Sequence, residues 1–293
     1  MVETKVKIKL QGHEKFPLRE GWLNKGLLSV EKNPRIFSDQ NGTDILGVGS
    51  NMVKSIKYWM KAFGLIEDKT GTGAVITPTG RIIKQNDVYF ENIFTLWVLH
   101  SNIAKNVTEA TTWYMYFNKC NIEEFTKEEI TKFLSREISK YVNGAAFSEN
   151  SLKSDIDILL NMYGKTSVKG MDPEEKINSP LSQLGLIRSS YDTFIKGQPD
   201  RRKISMWNVL YELTYIMQGQ ESVSIDDIAV GNNSISSIYQ ISRVLINELL
   251  DELDAKGYIH VNRTAGLDIV YKGEYFPDSS VAVLKNFYEN ING

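Results

Sequence analysis

The sequence predicts a mainly α-helical protein with small β-hairpins, in which winged-helix units flank a helical middle region. Three observations carry the prediction. Residues 1–86 and 201–293 each read as short helix, turn, longer amphipathic helix and two-strand signal. Residues 87–200 keep a helical period and are rich in aromatics. A break at residues 197–203, where Gly, Pro and three consecutive basic residues fall together, marks the clearest linker. The sequence therefore divides into an N-terminal unit (1–86), a helical middle (87–200) and a C-terminal unit (201–293).

In the first unit Trp22, Leu23, Leu27 and Val30 recur at helical spacing. Ser38 precedes a short helix through Leu46, with Asp39 in its first turn as the helix dipole favours. A glycine-rich turn at 47–50 leads to a stronger helix over 51–63. Val53, Ile56, Met60 and Phe63 form its apolar stripe, and Gly64 stops it. Residues 65–68 and 74–77 return as a hairpin around Gly71 and Gly73. The last unit repeats the layout, with helices over 207–217 and 224–229, a turn at 231–234 and one long helix over 236–255. A hairpin pairs 258–261 with 267–271 across 262–266. The middle carries a loop at Gly170–Pro173 and an irregular stretch over 195–203.

Composition narrows the class. Apolar and charged fractions of 42% and 24% are those of a globular protein. A single cysteine, Cys120, excludes an intramolecular disulfide and a cysteine-rich metal site, which fits a reducing cytoplasm. The first ten residues lack the apolar stretch of a signal peptide, and no apolar run reaches the roughly 18 residues of a membrane span. The net charge of −2 conceals a gradient: residues 1–86 carry 14 Lys/Arg against 8 Asp/Glu, while 87–200 and 201–293 are each acidic. Local cation density drives polyanion binding, so the first unit is the candidate for contact with double-stranded DNA.

In a helix-turn-helix the second helix enters the major groove. The polar side of helix 51–63 offers Lys54, Lys57 and Lys61 for phosphates, flanked by Asn51, Ser55 and Tyr58. Asn near such an N-terminus can read adenine. Lys69 at the hairpin and Arg81 beyond it extend the surface. A solvated amphipathic helix with a lysine-rich face would look the same. The long C-terminal helix carries Gln240 and Arg243 early but Glu248, Asp251, Glu252 and Asp254 late, which suits protein docking or dimerisation better than DNA.

No phosphate-binding loop, dinucleotide glycine fingerprint, HExxH or nucleophile elbow is present. If the chain cuts DNA, the polar groups nearest the basic unit are His13 and Glu14, and Asp87 and Glu91 where the middle begins. A carboxylate pair holding Mg²⁺ or Mn²⁺, with His13 moving a proton, would suffice. Against this, the acidic pair also suits a helix cap, and residues 12–19 also suit a rigid clasp. His100 ends an apolar helix and reads as a hydrogen-bonded core or interface residue, and His260 as exposed. The aromatics of residues 112–118 read as core before they read as base-stacking platforms.

The segments GHEKFPLREGWLNKG (12–26), LGVGSNMVKSIKYWMKAFGLI (46–66), TLWVLH (95–100), TTWYMYFN (111–118) and SPLSQLGLI (179–187) occur in that order. Together they resemble a prokaryotic family defined as a domain of unknown function. Its best-placed members look like the B component of the Ssp DNA-phosphorothioation defence system. The resemblance implies a part in replacing a backbone phosphate oxygen with sulfur, alongside a cysteine desulfurase, an ATPase and a sulfur-activating enzyme. It also implies an association with DNA nicking. Where the family pattern has Asp-Pro-Tyr-Leu-Glu this chain has Asp87-Val88-Tyr89-Phe90-Glu91. The acidic pair is kept and the proline is not.

Overall fold

The computed structural model describes residues 6–164, 179–266 and 268–292. The predicted loop at Gly170–Pro173 therefore lies outside the described residues. The chain is mainly helical, with small antiparallel sheets. The first unit runs α1 (Trp22–Lys32), α2 (Gly42–Leu46), α3 (Ser50–Ala62), β1 (Ile66–Lys69) and β2 (Gly73–Ile76), and α4 (Pro78–Asn86) follows. Ile66 pairs with Ile76 and Lys69 with Gly73. On the open side of β2, the Pro34 carbonyl accepts the Ala74 N–H at 2.7 Å, a one-bond stand-in for a third strand.

After α5 (Ile93–Lys105) and α6 (Thr111–Lys119) comes β3 (Glu124–Thr126), then α7 (Lys127–Tyr141), α8 (Glu149–Tyr163), β4 (Ile187–Ser190) and β5 (Thr193–Lys196). The strands form one antiparallel sheet in the order β3-β5-β4. This corrects the expectation of a purely helical middle. At three residues β3 is too short to display a period of two, and the β4–β5 hairpin turns on Tyr191 at φ 51° with no glycine at its tip.

The last unit contains α9 (Met206–Ile216), β6 (Ser222–Ser224), α10 (Ile225–Ala229), α11 (Ile235–Tyr239), α12 (Arg243–Ala255), β7 (Ile259–Asn262) and β8 (Ile269–Lys272). The chain ends on α13 (Ser280–Asn292). Its sheet order is β6-β8-β7, the topology of the middle sheet. The single helix expected over 236–255 is two. Gln240 turns left-handed at φ 53° and its side-chain amide donates to the carbonyls of Gly197 and Leu186 at 2.7 and 3.1 Å. Ser242 restarts the helix by accepting the Leu245 N–H. A polar clasp onto the middle hairpin outweighs helix continuity there.

One local device recurs three times. Gly64, Gly185 and Gly257 adopt φ of 68°, 73° and 75°, and each is followed by an apolar residue and then a buried isoleucine, Ile66, Ile187 or Ile259. The left-handed glycine ends the preceding helical turn and aims the chain into the hairpin. Each hairpin then closes on itself: Thr77, Gly197 and Gly273 donate their N–H to the carbonyls of Leu65, Leu186 and Tyr258, at 3.0, 2.8 and 3.0 Å. The middle thus repeats the layout of the two ends.

At the centre lies α5, buried from Phe94 to Ser101 and again at Ile103 and Ala104. It packs on α6, α9 and α11. The closing glycines test the device. A Cβ at Gly197 or Gly273 would overlap the carbonyl oxygen of Gly185 or Gly257, whereas one at Gly49 would meet nothing. Gly197→Ala and Gly273→Ala should each lose about 1–3 kcal/mol in urea unfolding, with Gly49→Ala close to wild type. Equal stability of all three variants would contradict the shared geometry.

Candidate functional site

The structure divides the predicted α3 surface. Asn51 and Lys54 are exposed, with Lys54 Nζ donating to Asn51 Oδ1 at 3.3 Å. Ser55 and Tyr58 are not available to DNA: both are buried, the Ser55 hydroxyl on the Phe16 carbonyl and the Tyr58 ring against Gly12. The helix turns that face toward the N-terminal arm, which sequence spacing alone did not place.

Lys57 and Lys61 are shared with acids. Lys57 reaches Asp68 on β1 at 2.8 Å, while Lys61 bridges Asp68 at 3.0 Å and Glu109 at 3.3 Å. Glu109 in turn holds Lys9 at 2.8 Å. Burial opposes the charge on Lys61, but Asp68 and Glu109 outweigh it and hold the ammonium above the usual lysine range. Burial likewise opposes ionisation of Asp68, and the two lysines outweigh it and hold the carboxyl low.

Lys69 and Arg81 are exposed and, among the described residues, have no carboxylate partner. Arg35 is likewise exposed without a carboxylate partner, donating to the Gly71 carbonyl at the hairpin tip, and Arg19, half-buried over the Phe16 and Trp22 rings, also lacks one. In the C-terminal unit every arginine is paired. Arg201 spans Glu248 and Glu252, Arg202 holds Asp200, Arg243 holds Asp226 and Asp268, and Arg263 holds Asp251. The acidic side of α12 is thus largely compensated, while the first unit offers uncompensated cations.

The four residues suggested for catalysis are not assembled into one site. His13 is fully buried, stacked on Trp59, with Nε2 donating to Asp155 Oδ1 at 2.8 Å and Nδ1 accepting the Lys15 N–H at 3.1 Å. Asp155 also accepts from Gln11 N–H at 2.7 Å and from the Thr112 hydroxyl at 2.6 Å. Both ring nitrogens and both oxygens are used, so the cluster clasps the N-terminal arm to α6 and α8. Asp87 holds a different cluster, accepting the N–H groups of Glu91 and Asn92 and the Thr95 hydroxyl. It shapes the entry to α5. Glu14 and Glu91 contribute no side-chain bond to either cluster.

No three His, Cys, Asp or Glu among the described residues lie where they would hold an ion, and the Asp87 and Asp155 oxygens already have donors. Sequence reasoning missed Asp155 and Glu212, although each left a signal: a carboxylate set inside an apolar stripe. Glu212 is buried and accepts from Ser101, Tyr239 and Lys105 at 2.5, 2.7 and 2.7 Å. His100 is the expected buried residue. Its Nε2 donates to the Ile238 carbonyl at 2.7 Å, which leaves Nδ1 to accept the Tyr163 hydroxyl at 2.8 Å.

Fold and surface together define a single-chain scaffold of three repeated helix–hairpin units with an uncompensated basic face on the first. The chain belongs to the DUF4007 family of proteins of unknown function, whose profile matches residues 10–288. Two solved structures share its fold, an SspB crystal structure and a magnesium-ion-bound SspB crystal structure. Each has a TM-score of 0.86 at 23% identity, over 97% of this chain and 89% of the other. No curated protein matches the chain in sequence. No helix among the described residues is long and apolar enough to cross a membrane.

Burial pushes the His100 pKa down to about 4 from an ordinary value near 6.5. As pH falls the unfolded chain takes up the proton first, so this contribution is complete above about pH 6.5 and is lost on descent through pH 4. Urea midpoints should fall over that interval, by an amount worth about 3 kcal/mol at its foot. His100→Gln, starting less stable, should lose less over the same range. Parallel losses in both proteins would assign the acid sensitivity elsewhere.

Proposed function

We propose that the chain is a duplex-DNA-binding component of an Ssp-type phosphorothioation system, its first unit working as a winged helix. In this reading α3 enters the major groove and the β1–β2 hairpin lies along the neighbouring backbone. The observation that carries it is the contrast in arginine pairing: none of Arg19, Arg35 and Arg81 has a carboxylate partner, whereas all four C-terminal arginines do. Compensated surfaces release few counterions, and uncompensated ones bind phosphate. Asn51, at the start of α3, is the base-reading candidate, with Lys54, Lys69 and Arg81 on the backbone. The family and the SspB-like fold support company with a cysteine desulfurase, an ATPase and a sulfur-activating enzyme. For the C-terminal unit we keep partner docking or homodimer formation, supported by the exposed Val230 and Val244.

Fluorescence anisotropy on a labelled duplex at several salt concentrations tests the proposal. Lys54→Ala, Lys69→Ala and Arg81→Ala combined should weaken binding and flatten the log–log salt slope by up to about 3. Lys57→Ala with Lys61→Ala should do less, because Asp68 already offsets those charges, and Asp68→Ala should tighten binding. An unchanged slope in the first triple variant would overturn the assignment of this face.

A further inference from the structure

The middle sheet has the same strand order as the last, and α7 and α8 precede its hairpin as α2 and α3 precede β1–β2. By that correspondence α8 occupies the place of α3. Between α7 and α8 runs an open groove of about 970 Å³, lined by five cations and three carboxylates although residues 87–200 are acidic overall. We propose that this groove is a second contact for duplex DNA, resting on the winged-helix reading of the first unit.

The charges are placed for it. Lys132, Arg136 and Lys140 succeed one another at intervals of four along α7, a row rising about 6 Å per step. Their side chains are 75%, 64% and 64% exposed. Lys153 faces them from α8. Two carboxylates temper the row, Glu128 on Lys132 at 2.6 Å and Glu137, tucked inward, on Lys140 at 2.7 Å and Arg136 at 3.5 Å. Asp157 on α8 holds Lys127, and Glu149 completes the acidic lining. Lys153 has no carboxylate partner among the described residues.

The exposed residues of α8 include Asn150, Lys153, Asp157 and Asn161, a spacing of three, four and four that keeps them on one side. Asn and Lys are residue types that pair with the major-groove edges of adenine and guanine, whereas Asp157 is engaged by Lys127. A protein partner would want aromatic or aliphatic anchors at its centre. None of the exposed large hydrophobic residues lies on α7 or α8, and the one aliphatic residue lining the groove, Leu152, is fully buried at its floor among lysine and arginine stems. A duplex backbone fits the chemistry better than a peptide.

Full-length protein should be titrated with a short and a long duplex over a salt series. Lys132→Ala, Arg136→Ala, Lys140→Ala and Lys153→Ala combined should reduce the salt slope by about 3 to 4 on the long duplex. The same variant should bind the short duplex much as wild type does, through the first unit. A second variant of opposite sign, Glu128→Gln with Asp157→Asn, should tighten long-duplex binding several-fold, which no folding defect would mimic. Loss of binding in the first-unit triple variant with no effect from either groove variant would overturn the groove and leave the first unit standing. Failure of wild-type protein to bind any duplex would overturn both. Retained DNA binding with loss of a protein partner in the groove variant would assign the groove to protein and overturn this proposal.

Discussion

A helix buried on every side has to satisfy its polar side chains with groups from whatever surrounds it, and α5 does so with the whole molecule. Asn102 and Asn106 donate to the carbonyls of Phe63 and Ala62 at the end of α3. His100 joins Tyr163 of α8 to the Ile238 carbonyl of α11. Ser101 and Lys105 bind the Glu212 carboxylate of α9, Trp97 donates to the Lys203 carbonyl, and Thr95 meets Tyr288 of α13. Each lost partner would strand a buried donor or acceptor at a cost of about 1–3 kcal/mol. Because those partners come from all three units, the relative placement of the units is fixed by hydrogen bonds with directions, on top of apolar packing that has none.

Around this axis one topology is used three times with different surfaces. The first copy leaves its arginines uncompensated, the second lays a cationic row along α7, and the third neutralises the acids of α12 with Arg201 and Arg263. The scaffold depends on the inner faces, where glycine, isoleucine and a returning backbone bond repeat. The outer faces are free to differ, and their charge is what separates the three units.

Much of the fold was legible where the chain spells out a long period. The stripe of Val53, Ile56 and Met60 and the stop at Gly64 set α3, and the glycine-tipped hairpins at both ends followed. The middle sheet was hidden because β3 spans three residues and its hairpin turns on Tyr191. Yet Gly185-Leu186-Ile187 repeats Gly64-Leu65-Ile66 in the same words, and a comparison of the two strings would have disclosed it. The break at Gln240 depended on a clasp to residues more than forty positions away, which no local pattern contains. At the candidate surface, residue type and spacing found the cations but not their partners: Asp68 and Glu109 reach α3 only after folding. Asp155 and Glu212 were visible as carboxylates among aliphatics, a pattern that marks a buried polar junction as readily as chemistry.

The dependence of α5 on distant partners also governs how the molecule comes into being. The Ile238 carbonyl that His100 requires lies 138 residues further along the chain, and Tyr288 lies 193 beyond Thr95. A ribosome adding roughly 5–20 residues per second needs about 7–28 s to deliver the first of these. For that interval the emerging apolar helix has α6 and the end of α3 to lie against, but not α9, α11 or α13. Escape from aggregation during synthesis therefore rests on how quickly the last third of the polypeptide arrives, so slow codons placed after α5 would harm yield more than the same codons placed before it.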